Sequence, residues 1–567
     1  MSGYVLAVGD ESRIRRVSQL FVPEETDILA LGSGMSLLYV SNSGYVSNGA
    51  IFQGYGIDHI RAAMVFAGAP SSELPEPSHP IEGSYFTARF SAAEVRVGAD
   101  SYGFVPMCWF NDGGVSAVSD SYLTLIMMRQ ELGFSRTPNS ETILGRMWLN
   151  SMSLQQMGRE TFCEEIRYAT PATELVIDGR NGDLEEYPMD LSEFYRGSFA
   201  DHADAVNESA VRMVRTFKTY AASESLTTLG LSGGTDSRVC LAAALAADMQ
   251  DNLHIASTNK KTRLNDNQDY AVAVALSEKF GFSLNQPSSN VQGSLTSNDL
   301  LAGWAATGMG LYDALYMPAK FRHRPIPVFA VGGQGAEISK GNFGWRPLEA
   351  INMPPEALAQ AARALEAMGI SREHKWGSEW HYIGFRNAIH GGRSTLSSDY
   401  VARPAAQIPL IGLSRSGENE LPAPGKTSPS VVLDLLIKLN PGMATAPFDD
   451  VRKNVSEHYV EKRLDELGGP IEADHLSPYV QYGTPQPAKG TCISQTELAR
   501  SAGYEGNLDP STLLPLAYAG VKDFRDVVPE SIIEKIDGLN SGSRTRIGAA
   551  TREAGALGKL IALGTVA

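Results

Sequence analysis

One stretch limits what this chain can fold into more than any other: Leu226-Thr-Thr-Leu-Gly-Leu-Ser232-Gly-Gly-Thr-Asp236-Ser237-Arg-Val-Cys-Leu-Ala-Ala-Ala-Leu-Ala246. Its order predicts a short buried strand, a tight Gly-Gly turn and a helix rich in Ala and Leu. Without Cβ atoms, Gly233 and Gly234 let the backbone bend sharply and come close to a ligand. Amides at the start of the helix then point outward without intrahelical partners, which makes an anion site. A carboxylate placed among them, Asp236, is poorly suited to touching phosphate directly. It is better suited to holding a Mg²⁺ that phosphates share.

The segments on either side extend the pattern. Residues 203–220 predict an amphipathic helix, with Val206, Ala210, Val211, Val214 and Phe217 on one face. Leu253-His-Ile-Ala-Ser257 predicts a second strand, and Asn267 to Phe280 a helix. Gly310 to Lys320 reads as helical, and Pro327-Val-Phe-Ala-Val331 is a further strand that opens into Gly332-Gly333-Gln334-Gly335-Ala336-Glu337. Short apolar strands alternating with helices imply a parallel sheet with helices on both faces. Ligands of such sheets sit at the carboxyl ends of the strands, where Ser232 and Ser257 fall.

The first 195 residues differ. Tyr4 to Val8, Leu37 to Val40, Tyr85 to Phe90 and Glu94 to Val97 are strand-length apolar runs separated by Gly, Ser and Asn turns, with helices expected over Ser121–Leu132 and Ser140–Leu149. This predicts an α+β domain with much sheet. Beyond residue 350, Pro354–Met368 and Ser430–Leu439 read as helices, Gly417–Ser428 as a loop and Ser477–Gly490 as irregular. The Trp380–Gly392 segment, with aromatics, Arg386 and His390, reads either as a pocket lining or as a core helix. Ser541–Ala567 carries Arg544, Arg546, Arg552 and Lys559 against one acid, Glu553, and reads as a solvated tail, the alternative being a mobile basic segment that closes over a bound anion.

Composition narrows the function classes. A chain of 567 residues with 43% hydrophobic and 20% charged content is long enough for two or three ordinary globular domains. A net charge of −16 argues against a nucleic-acid or anionic-membrane partner. Cys108, Cys163, Cys240 and Cys492 have no paired spacing, so neither a zinc site nor a disulfide framework is expected. No signal peptide or apolar run of spanning length is seen, so the cytoplasm is the default expectation.

Ser232-Gly-Gly-Thr-Asp-Ser237 resembles the pyrophosphate loop of the N-type ATP pyrophosphatases, which cleave ATP between the α- and β-phosphates and adenylate a substrate. Gly332 to Glu337 resembles the Ser-Gly-Glu-Gly-x-Asp turn of asparagine synthetases, and places Glu337 where that family has a second Mg²⁺-binding Asp. In the first half, Asn48-Gly-Ala50-Ile-Phe52, Gly83-Ser-Tyr-Phe86, Asp100-Ser-Tyr-Gly103-Phe-Val-Pro106-Met-Cys-Trp109 and Ile166–Tyr187 resemble the glutaminase domain of the same family, an N-terminal-nucleophile fold. The resemblance implies an α/β protein in three parts. Residues 1–195 form a degenerate amidotransferase-like sandwich, 196–450 a parallel-sheet pyrophosphatase domain, and 451–567 a mostly helical extension of it.

What the resemblance implies about chemistry is an AMP-forming amide-bond ligase using ATP and Mg²⁺. Leu231, Ser232, Gly233, Gly234, Thr235, Asp236, Ser237, Ser257, Gly333 and Gly335 would hold the nucleotide. Asp236 and Glu337 would hold the metal, and Asp236, Gln334, Glu337 and Lys320 are the candidate catalytic residues. Departures matter as much. Ser2 stands where the glutaminase needs Cys, the carboxylate-gripping Arg has no counterpart near Met35, and the motif's Glu is Ala50. Glutamine hydrolysis is therefore expected to be lost, the rival being an N-terminal Ser2 nucleophile and an active amidotransferase. Gln334 stands where asparagine synthetases have Glu and β-lactam synthetases Tyr, and it cannot take a proton at neutral pH. The expected partners are a small-molecule or peptide carboxylate and an amine, with neither nucleic acid nor membrane; a homodimer stays open, as does a non-catalytic nucleotide-binding relative.

Overall fold

The computed structural model describes residues 3–150, 152–196, 201–250, 252–259, 264–285, 300–315, 326–340, 344–386, 391–392, 399–415, 431–487, 494–540 and 551–567. It is a mixed α/β protein built on three sheets. The first is antiparallel, with six strands in the order Arg167–Ala169, Met107–Asp112, Val115–Ser119, Val5–Asp10, Met35–Val40, Thr26–Gly32. The second contains Leu184–Pro188, Thr173–Asp178, Glu94–Ala99, Glu82–Phe90, Ala50–Asp58, Ala63–Phe66 and Val480–Tyr482 in that order, with Tyr45–Ser47 pairing beside Ala50–Asp58.

Period-2 alternation sets how these sheets stack, because successive side chains point to opposite faces. Tyr4, Leu6 and Val8 face Phe86, Ala88, Val95 and Val97 of the second sheet in one core. Val5 and Ala7, on the other face, pack under the Tyr122–Leu132 helix. That same core takes in Leu513, Ile532, Leu557 and Leu560, so the helices after residue 494 bury their apolar sides against the first half of the chain.

The third sheet is parallel, in the order Leu253–Ala256, Leu226–Gly230, Val328–Val331, Tyr400–Ala402. Its register pairs Gly230 with Ala256, Leu229 with Val331 and Val331 with Ala402, so all four strands end at one edge. The Thr235–Ala246 helix packs beneath it, buried continuously from Ser237 to Ala244, as a helix apolar on every side must be. The His202–Ala222 helix buries Val206, Ala210, Val214 and Phe217 as its periodicity predicts, with Val211 only half-buried. Aromatic rings weld this sheet to the second one: Phe329 stacks on Tyr220 at 4.3 Å and on Tyr400 at 4.8 Å, and Tyr55 meets Phe329 edge-on at 5.5 Å.

Three sequence expectations need correction. The helix expected over 310–320 is not present in its described part. A helix instead spans Leu300–Thr307, and Gly310 takes φ +77, a left-handed turn, while the remainder including Lys320 lies outside the described residues. Ser477–Gly490 is not wholly irregular, since Val480–Tyr482 adds a parallel strand to the edge at Ala63–Phe66. The C-terminal stretch is no solvated tail. Arg552–Leu563 is a buried helix, and Lys559 is fully buried with Nζ 2.7 Å from Asp313, which also pairs with Arg146 at 2.6 Å. Arg544 and Arg546, like the loop expected over Gly417–Ser428, lie outside the described residues.

Candidate functional site

The carboxyl edge of the parallel sheet gathers most of the residues singled out by sequence. Leu226–Gly230 turns through Ser232–Gly234 into the Thr235–Ala246 helix, which starts with Gly234 at its N-cap and no side chain capping it. The turn is braced from within. The Ser237 hydroxyl accepts from the Ser232 amide at 3.1 Å, and the Ser232 hydroxyl accepts from the Gly234 amide at 3.3 Å. Leu231 is tied to the neighbouring strand, its amide donating to the Ala256 carbonyl at 2.8 Å. That bond puts Ser257 beside the loop, its own amide held by Asn285 Oδ1 at 2.9 Å.

The second glycine turn leaves the adjacent strand and lands on the first. A Cβ built at Gly333 would stand 2.7 Å from the Asp236 Cβ and carbonyl carbon and 2.8 Å from the Ser237 nitrogen. Gly333 is therefore glycine because the Asp236 backbone is already there. Gly335, at φ +106, needs glycine for its left-handed backbone, and its amide donates to Glu337 Oε2 at 2.9 Å. Cys240 lies one helical turn below Asp236, with Arg403 opposing the effect of the acids on its thiol. Burial first, then the Asp236 and Glu337 charges, push its thiol up to about 12.

Behind this contact Arg403 fixes the strand ends. Its fully buried guanidinium donates to the carbonyls of Gly391, Ala330 and Ala402 at 2.8, 3.2 and 3.0 Å. Burial brings it down to about 10. Among the described residues no three His, Cys, Asp or Glu side chains gather as a metal-binding group. Two carboxylates completed by nucleotide phosphates are, however, a normal Mg²⁺ arrangement, and hard oxygen donors suit that ion. A Cβ on Gly234 would meet nothing nearer than Ser232 Oγ at 3.5 Å, and its φ of −83 suits any residue. Among the described residues nothing requires glycine there.

Several residues at the loop carried no sequence expectation of a role. Asp269, on the Leu264–Phe280 helix, accepts from the Gly233 amide at 2.7 Å. Arg238 is fully buried, stacks at 3.8 Å over Phe448 and donates to the Ala446 and Pro447 carbonyls. Asp449, ion-paired to Lys453 at 2.9 Å, brings its Cβ against Gly233. Only Arg238 had a local cue, a charge inside an otherwise apolar helix.

The residues singled out in the first half can be placed as well. Asp100 is fully buried in a turn, accepting from the amides of Tyr102, Phe104 and Val105 at 3.0 Å each; burial pushes its carboxyl up to about 7 against those donors. Asn48-Gly49 forms the turn into Ala50–Asp58, with Gly49 at φ +71, and Ala50 and Met35 are buried. Ser2 and Cys492 lie outside the described residues, and Cys108, Cys163 and Cys240 are buried. The Trp380–Phe385 segment is core, with His381 held neutral by burial, its pKa brought down to about 4, between Gln155 and the Met157 carbonyl. No helix of the described residues is long and apolar enough to cross a membrane.

No protein-family model matches the chain, and no curated protein does. Solved structures with a distant likeness include two with these descriptions. One, described as the allosteric regulatory enzyme of purine biosynthesis, is 11% identical with a TM-score of 0.20, covering 62% of this chain and 78% of that one. The other, glutamine phosphoribosylpyrophosphate amidotransferase from B. subtilis complexed with ADP and GMP, is 12% identical with a TM-score of 0.21, covering 59% and 77%. Scores this low carry no weight for activity.

Proposed function

We propose that the chain is an ATP-dependent, AMP- and pyrophosphate-forming amide-bond ligase whose reaction centre is the meeting of the two glycine turns. The observation that supports this is Gly333 seated against the Asp236 backbone, so that the loops of two neighbouring parallel strands touch; Glu337 follows two residues after the second loop. Carboxylates gathered at one anion site repel each other and the phosphates unless a cation lies with them.

In this proposal ATP lays its β- and γ-phosphates along Ser232–Ser237, where Gly234 leaves the backbone uncovered. A substrate carboxylate oxygen attacks the α-phosphorus in line, and the bond to the bridging oxygen breaks, so that pyrophosphate leaves toward the helix amides. An amine then attacks the acyl carbon of the adenylate. The C–O bond to AMP breaks, and the amine loses its proton. Gln334 can orient either substrate by hydrogen bonds but cannot accept that proton at neutral pH. Mg²⁺ held by Asp236 and Glu337 would supply neutralisation of the phosphate charge. The protein's own contribution is positioning and preset dipoles. The carboxylate is a small molecule or a peptide end, and the chain's net charge of −16 speaks against nucleic acid as the substrate. With Ala50 and Met35 in the first half, the nitrogen comes from a free amine and not from glutamine.

The test is ATP–pyrophosphate exchange against a panel of carboxylates, in wild type and Asp236→Asn. Exchange with at least one carboxylate, lost by more than about 100-fold in Asp236→Asn with an unchanged melting temperature, is the expected result. Full exchange in the Asn variant would remove the metal role.

A further inference from the structure

The Gly233 peptide is held on every side by groups from outside its own turn. Its amide donates to Asp269 Oδ1 at 2.7 Å, from a helix 36 residues away in sequence. Its carbonyl accepts from the Asp449 amide at 3.4 Å and from Arg238 at 3.4 Å. Its Cα is boxed in as well: a Cβ there would lie 2.5 Å from Asp449 Cβ and 2.8 Å from Asp269 Oδ1. Arg238 is itself fixed, fully buried over Phe448 with the carbonyls of Met443, Ala446 and Pro447 around it. Gly234, the next residue, is held less tightly: a Cβ there would meet only Ser232 Oγ, at 3.5 Å, and its amide has only a long bond of 3.3 Å to that same hydroxyl within its own turn.

This contrast separates two jobs that a pair of adjacent glycines appears in sequence to share. We propose that Asp269 is a positioning residue, which holds the Gly233 amide so that the phosphate cradle consists of Gly234 and the first turn of the Thr235–Ala246 helix, with the Gly233 N–H outside it. An amide turned to a carboxylate is unavailable to a phosphate oxygen. A carboxylate standing in the cradle itself would repel the ligand. Asp269 therefore acts through the backbone and not by contact with ATP. Holding the peptide in one orientation removes the conformational cost that binding would otherwise carry. The inference rests on the ligase proposal for its choice of ligand.

The experiment is equilibrium binding of inorganic pyrophosphate with Mg²⁺ to the full-length protein by calorimetry, with melting temperatures recorded for each variant. Asp269→Asn keeps an oxygen that can accept from Gly233, whereas Asp269→Ala keeps none. The expected result is binding within about threefold of wild type for Asp269→Asn and weakened by roughly tenfold or more for Asp269→Ala, the scale of one charge-assisted hydrogen bond. A purely structural role would lower both melting temperatures without separating the two affinities. Tighter binding in Asp269→Asn would overturn the proposal, because it would make the carboxylate a competitor inside the cradle. Equal affinity of Asp269→Ala and wild type would overturn it too. If wild type binds no pyrophosphate, the ligase reading fails first and takes this one with it; if wild type binds and the variants do not differ, only this one fails.

Discussion

Gly333→Ala is the sharpest test of the site's geometry. The added methyl would stand 2.7 Å from two carbon atoms of Asp236 and 2.8 Å from the Ser237 nitrogen. Carbon pairs settle at about 3.5–4.0 Å, so the turn must retreat by about 1 Å. Two of the three atoms belong to the backbone of a helix buried from Ser237 to Ala244 and cannot swing aside as a side chain would. The displacement therefore falls on the 332–335 turn, which leads into the Ala336–Lys340 helix and its Glu337. Forced overpacking of this kind costs about 1–3 kcal/mol, a fall of a few degrees in the melting of the unit that contains the parallel sheet. If the two turns form the reaction centre as proposed, a shift of about 1 Å between them is expected to lower ATP–pyrophosphate exchange by about 100-fold. Differential scanning calorimetry and the exchange assay read the two effects separately. A Gly333→Ala protein with wild-type melting and wild-type exchange would mean that the two turns do not touch, and the convergence argument would collapse.

Gly234→Ala is expected to melt within a few degrees of the wild-type temperature, since its backbone suits alanine and its nearest neighbour is 3.5 Å away while alanine is a poorer N-cap than glycine, yet to bind ATP at least tenfold more weakly in a fluorescence titration. Unchanged ATP affinity would show that the cradle lies elsewhere. The third prediction concerns Lys559, whose pKa burial brings from 10.5 down to about 8 beside Asp313 and Arg146. Between those values the unfolded chain binds the proton and the folded one does not, so this group alone makes stability rise with pH across about pH 8 to 10.5. Denaturant melts of wild type minus Lys559→Met should show that slope. Asp313 keeps Arg146 in the variant, so the fold should survive, and a flat difference would refute the shift. Finally, incubation with glutamine should release no glutamate above background; release abolished by Ser2→Ala would restore the amidotransferase.

Local chemistry made the strand–turn–helix at Leu226–Ala246 legible in the sequence, because a Gly-Gly turn, an apolar strand and an Ala-rich helix each state their own conformation within a few residues. The parallel sheet was legible for the same reason, from short apolar strands alternating with helices, and the edge at which Ser232, Ser257 and Gly333 gather followed from it. The sequence also showed the layered alternation of the first half, since a period of two assigns each strand residue to a face. It could not show which distant groups meet. Nothing near Asp269 indicates that it will hold Gly233, and nothing near Lys559 announces Asp313, 246 residues away. Read alone, four cations against one acid look like a solvated tail. Only a fold that supplies a buried counter-charge makes it cheaper to bring Lys559 inside than to leave its apolar helix in water. The same holds for Gly333 and Gly234: both are simply glycine in the chain, and only the tertiary structure shows one filled by Asp236 and the other left open.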